Sequence, residues 1–179
     1  MNEKVSIYVV VSKSKTWLSC LIGFVTRTPY THVSIALDEE LGEMYSFGRV
    51  NPYNPVWGGF VMESPEFGTF KRFKDTKVKL LRIEITKKQY DKLEKILKDM
   101  YANRHKYHYN YIGLATACFE IPWKQNRCYY CSEFVRDVLV ETSIMKEEDF
   151  KPVVKPNDFA MLDIGTQVYE GSLQEYSNP

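Results

Sequence analysis

The chain has 179 residues, 44% of them hydrophobic and 26% charged, with a formal net charge of +1. That length suits one domain with a sizeable core spanning residues 1–179. A near-neutral balance of 24 basic and 23 acidic residues excludes the global basic excess of a nucleic-acid binder, and no apolar run is long enough to span a bilayer. The short apolar stretch after Met1 is also too brief for a signal-peptide core, so a soluble, cytoplasmic protein is expected. Four cysteines in such a chain argue against a disulfide framework.

Val5 to Ser12 (VSIYVVVS) is rich in β-branched residues and predicts a buried strand. Ser14 to Trp17 can cap a helix that carries Trp17, Leu18, Leu21, Ile22 and Val25 at helical spacing, closed by Thr28-Pro29. Thr31 to Leu37 alternates with period two. Asp38 to Gly42 turns the chain, and Glu43 to Arg49 returns it as the second arm of a hairpin. A loop rich in Pro, Gly and Asn leads to a short strand, Phe60 to Glu63. The basic stretch Lys71 to Lys79 reads as a solvated turn entering a strand over Lys77 to Ile85.

Thr86 with Gln89 three positions on forms a capping-box pattern. The helix it opens runs to about Asn103, with Tyr90, Leu93, Ile96, Leu97 and Met100 as its apolar stripe. A short apolar helix is expected near Gly113 to Phe119, and an amphipathic one over Cys131 to Thr142 with Phe134, Val135, Val138 and Leu139 inward. The tail predicts one more helix around Pro156 to Leu162 and a strand near Thr166 to Tyr169. Mixed strands and helices with an antiparallel hairpin place the chain in the α+β class.

Of three histidines, His105 and His108 sit in a polar loop and read as surface residues. His32 opens a strand just after a turn, where a side chain projects from a rigid element. Cys131 stands in the first turn of a helix, where unpaired N–H groups and the helix dipole favour a thiolate. The Cys128–Cys131 spacing also admits a redox pair, which would need a preceding βαβ unit, or half of a zinc site, which would need two further ligands. Cys20 and Cys118 lie in apolar helical segments and read as core.

The segment Thr31-His32-Val33-Ser34-Ile35 resembles the T/S-H-V-x-I strand of circularly permuted NlpC-type cysteine peptidases, the YiiX-like group related to lecithin retinol acyltransferase. Tyr130-Cys131-Ser132-Glu133-Phe134-Val135 resembles that group's Y-C-S-E-L/F-V motif. Val25 to Tyr30 resembles the end of its entry helix, and Tyr109-Asn110-Tyr111 its Y-D-x segment. The resemblance spans about Val5 to Thr142, with His before Cys as in permuted members.

It implies a permuted papain-like fold, an antiparallel sheet packed against helices, and a thiol hydrolase or acyltransferase. Cys131 would attack an amide or ester carbonyl and His32 would serve as its base. The implied substrates are peptidoglycan-type peptides or lipid-like acyl compounds, and no metal or organic cofactor is needed. In the family the group that orients the imidazole comes from the strand after the His strand, often as Glu or His. A turn near Glu40 puts residue 46 across from residue 34, which points to Ser46, a weaker and uncharged orienter. Glu63 on the following strand is its replacement, unless it is an exposed strand-end carboxylate. Tyr109 is the oxyanion donor by resemblance, or else a groove-lining aromatic. Tyr129, Tyr130 and Trp57 would make an apolar groove for a greasy portion of the substrate. A binding protein with a decayed catalytic set is the alternative.

Overall fold

The longest strand sets the architecture. β1 (Lys4–Lys13) has Ile7, Val9 and Val11 on one side and Tyr8 and Val10 on the other, all buried, so it must be covered on both faces. The computed structural model describes residues 3–13, 29–54, 56–163 and 165–177 and places β1 inside an eight-stranded sheet. The other strands are β2 (His32–Ala36), β3 (Met44–Arg49), β4 (Gly58–Glu63), β5 (Lys77–Thr86), β6 (His108–Tyr109), β7 (Cys128–Tyr129) and β8 (Thr166–Ser172). Their order is β7-β6-β4-β3-β2-β1-β5-β8. Every pairing is antiparallel except that of β6 with β7. The protein is therefore α+β, an open and mostly antiparallel sheet with six α-helices among the described residues.

Those helices are α1 (Gly68–Arg72), α2 (Lys87–Ala102), α3 (Tyr111–Ala117), α4 (Cys131–Glu141), α5 (Pro156–Met161) and α6 (Leu173–Ser177). Helix α2 starts where its capping box directs: the Gln89 N–H donates to the Thr86 hydroxyl at 3.3 Å, and the Thr86 N–H donates to the Gln89 side chain at 3.0 Å. It packs on β1, β4 and β5, while α4 packs on β2 and β3. The larger core lies between these helices and the sheet, with Phe134 of α4 set 5.4 Å from Phe47 and 5.2 Å from Phe60 by ring centroids. The opposite face buries a smaller cluster under Phe70 of α1 and Leu173 of α6.

Several expectations shift. Lys71 and Arg72 end a short helix instead of lying in a turn, because Phe70 is drawn into the smaller core. The turn proper is Phe73 to Thr76, closed by the Thr76 N–H on the Phe73 carbonyl at 3.1 Å. Helix α3 begins at Tyr111, two residues before the expected start, because the Asn110 side chain caps it by accepting from the Gly113 N–H at 2.8 Å. Strand β8 runs on to Ser172. The helix expected over Trp17 to Val25, with Cys20, lies outside the described residues. Among the described residues no helix is long and apolar enough to cross a membrane.

Phe134→Ala should cost about 3–5 kcal/mol of unfolding free energy in urea denaturation, because it empties the contact that seats α4 on the sheet.

Candidate functional site

His32 begins β2 opposite Ser12 of β1, and the preceding Thr31 N–H donates to the Ser12 carbonyl at 3.0 Å. The β2–β3 register pairs Ile35 with Tyr45 and Ala36 with Met44, as a turn centred on residue 40 requires. Carried along the hairpin, that register sets Ser46 opposite Ser34 and Gly48 opposite His32. The next strand pairs Met44 with Glu63. With period two, His32, Ser34, Ser46, Gly48 and Glu63 all fall on one face of three adjacent strands.

Glu63 is 8% exposed, so the solvated strand-end reading does not hold. Its carboxylate lies 3.0 and 3.2 Å from the His32 Nε2 and accepts from the Ser34 hydroxyl at 2.7 Å. Ser46 does not take part: its hydroxyl donates to the Val33 carbonyl at 2.6 Å, inside the sheet. The hairpin register expected from the sequence is present, but it delivers Ser46 to a backbone acceptor instead of the imidazole. Gly48 opens the route for Glu63. A β-carbon there would stand 3.1 Å from Glu63 Oε1 and 3.5 Å from His32 Cε1.

Cys131 is the first residue of α4 and is 2% exposed. Helix α4 is anchored at this end by the Ser132 hydroxyl on the Val154 carbonyl at 2.7 Å and by the Glu133 carboxylate, which accepts from the Tyr130 N–H. Cys131 lies near enough to His32 to act on its titration. Burial lowers the His32 pKa, but the Glu63 charge, then hydrogen bonds to Cys131 and Glu63, overcome it and raise the value well above 6.5. The folded protein thus holds the imidazole proton more tightly than the unfolded chain. The resulting stability is fully present below pH 6.5 and is lost as pH rises through the raised value. With Nε2 committed to Glu63, Nδ1 is the ring nitrogen left for the thiol.

Tyr109 comes to the same place from the far side of the sheet. The two-residue β6 pairs with β7, and the Asn110 N–H donates to the Tyr129 carbonyl at 2.9 Å. The Asn110 side-chain amide donates to the Trp123 carbonyl at 3.1 Å and lies 3.4 Å from the Glu133 carboxylate, which ties this loop to the start of α4. Burial, followed by the nearby Cys131, raises the Tyr109 pKa well above 10, so its hydroxyl keeps its proton.

A small cavity of about 20 Å³ lies beside Cys131, lined chiefly by Leu114, Ala117, Tyr130, Val154 and Thr31. The Thr31 hydroxyl is buried and has no hydrogen-bond partner. Tyr130 belongs to this cavity, whereas Tyr129 packs 5.2 Å from Phe47 in the core and Trp57 lines a separate depression with Val50 and His108. The expected groove of Tyr129, Tyr130 and Trp57 is therefore divided. Cys118, Cys128 and Cys131 are free thiols. Burial and the Glu133 carboxylate push the Cys128 thiol pKa up, which makes it a poor attacking partner for a redox pair. Cys118 sits half-buried at the end of α3, and His105 and His108 are exposed.

Ser34, Gly48 and Thr31 were not singled out from the sequence. Ser34 and Gly48 could have been found from the hairpin register alone, as the residues next to and opposite His32 on one face. Thr31 carried no such signal, because its burial depends on how α4 and the 153–156 segment pack. No protein-family model matches this chain, and neither the curated proteins nor the solved structures contain a match to it.

Glu63→Gln should move the His32 titration midpoint, followed by the imidazole NMR signals, down toward 6.5. Ser46→Ala should leave that midpoint in place and cost about 1 kcal/mol for the lost bond to Val33.

Proposed function

We propose that this chain is a thiol hydrolase or acyltransferase that cleaves amide or ester bonds through an acyl-enzyme on Cys131, on a permuted NlpC-type papain-like fold. One observation carries the reading: a buried imidazole bonded to a carboxylate on one side stands against a thiol at a helix N-terminus on the other. The resemblance of the His32 and Cys131 segments to the YiiX-like group supports it, as does the packing of the Cys helix on the His strand.

In the first step the Cys131 sulfur attacks the carbonyl carbon while His32 holds the proton taken from the thiol. The carbonyl π-bond opens to an oxyanion. In this reading the early N–H groups of α4, which lack partners within the helix, stabilise that charge together with the Tyr109 hydroxyl. His32 then gives its proton to the departing amine or alcohol, and the thioester remains. Water, or an acceptor hydroxyl or amine, surrenders a proton to His32 and attacks the thioester, which returns the thiolate and the imidazolium. Glu63 keeps the ring oriented and stabilises its charged form throughout.

The deciding measurement is the rate of Cys131 alkylation by iodoacetamide against pH, read by mass spectrometry in the native chain and in His32→Ala. Fast labelling below pH 7 that His32→Ala abolishes is expected. Rates identical in the two proteins would remove the pair and favour a binding protein. On p-nitrophenyl esters, His32→Ala should lower turnover by about 10²–10⁴-fold. Thr31→Val should raise stability in urea denaturation by about 1 kcal/mol, by removing an unsatisfied buried hydroxyl.

A further inference from the structure

Two cations beside the site have no acidic partner. Arg49 is the last residue of β3, directly after Gly48, whose α-carbon faces Glu63 and His32. Its cross-strand partner is Gly58, where a β-carbon would come within 2.8 Å of Tyr109 and 2.9 Å of the Tyr111 hydroxyl. The backbone that carries Arg49 is thus held between the His32–Glu63 pair and Tyr109, which lies near Cys131. Arg49 Nη2 is buried and has no hydrogen-bond partner.

Arg72, the last residue of α1, comes to the same aromatic ring. The Arg72 guanidinium lies 5.3 Å from the Phe73 centroid and that of Arg49 5.9 Å from it. Arg72 also stacks 4.1 Å from the Tyr53 ring and donates to the Pro52 carbonyl at 2.7 Å, so its position is fixed. Neither arginine forms an ion pair with a carboxylate among the described residues. Two like charges on one ring repel, and a buried N–H without an acceptor is costly. Burial and the Arg72 charge both lower the Arg49 pKa, and a bound anion would reverse the second effect.

We propose that Arg49 and Arg72 form an anion subsite that takes a carboxylate or phosphate group of the substrate acylated on Cys131. The guanidinium fork suits both oxyanions, and the aromatic rings beneath leave its N–H edge free to donate. The subsite deepens the thiol-enzyme reading and rests on it for the word substrate. It selects anionic acyl compounds, either peptides with a free carboxylate or esters that carry a phosphate, over neutral acyl chains.

The test separates the two claims by measuring binding in Cys131→Ala, which needs no catalysis. Inorganic phosphate and N-acetylglycine are titrated separately at constant ionic strength, read by thermal shift and by the arginine side-chain NMR signals. Saturable binding of one of them, with a shifted Arg49 Nε–H signal and roughly tenfold or greater weakening in both Arg72→Gln and Arg49→Lys, is expected. Whichever ion binds more tightly identifies the source of the anion. Arg72 is exposed, so Arg72→Gln keeps the fold and remains decisive if Arg49→Lys does not fold. No saturable binding of either ion, or binding that the folded variants retain in full, overturns the subsite. Anion binding in a chain whose Cys131 proves unreactive leaves the subsite standing and removes the enzyme reading.

Discussion

A carboxylate buried on a sheet face is expensive unless a positive group and hydrogen-bond donors meet it there. Glu63 meets both: the His32 imidazole at 3.0 Å and the Ser34 hydroxyl at 2.7 Å. The three residues come from β2 and β4, which do not pair with each other, so the contact crosses β3. It passes over Gly48, where one added carbon would crowd Glu63 Oε1 at 3.1 Å and Val61 Cγ2 at 3.3 Å. Removing either charge would leave the other buried and uncompensated, which is why this pair is the constraint on the site's pH behaviour and on the local sheet packing alike.

The second requirement is that the thiol arrive at the imidazole from the opposite layer. Helix α4 lies on the larger core, and its first residue reaches the end of β2 because the helix is pinned at both ends of its apolar stripe. Phe134, Val135, Val138 and Leu139 seat it on the sheet, while Ser132 and Glu133 tie its first turn to neighbouring backbone. The short β6–β7 pair then brings Tyr109 and Asn110 in from the sheet edge. Three separate parts of the chain therefore converge on Cys131, each held by bonds that do not involve the thiol. In the proposed chemistry this leaves the reacting groups preorganised, with little to rearrange as charge develops.

Charge distribution around the site is uneven in a useful way. The His32–Glu63 pair is internally compensated, and some surface lysines pair with nearby acids, as Lys98 does with Glu94 and Lys151 with Asp158. Arg49 and Arg72 form no such pair among the described residues. A near-neutral protein that sets two arginines without acidic partners around the Phe73 ring has a local field its net charge conceals.

Local signals were enough for much of the framework. The β-branched run of β1, the capping box of Thr86 and Gln89, the apolar stripe of α4 and the hairpin register around residue 40 all depend on neighbours within a few positions, and each is present. The placement of His32 at a strand start and of Cys131 at a helix start was legible for the same reason. What lay beyond the sequence was decided by non-local geometry. Ser46 occupies the expected register position, yet its hydroxyl is satisfied by Val33, and Glu63 reaches the imidazole across a strand whose glycine had no local meaning. The two-residue strands β6 and β7 and the short helix α1 are too brief to carry a pattern and exist because the sheet edge and Phe70 find partners far along the chain. Period and capping are properties of adjacent residues. Which polar group faces which across three strands is a property of packing, and only the tertiary structure determined it.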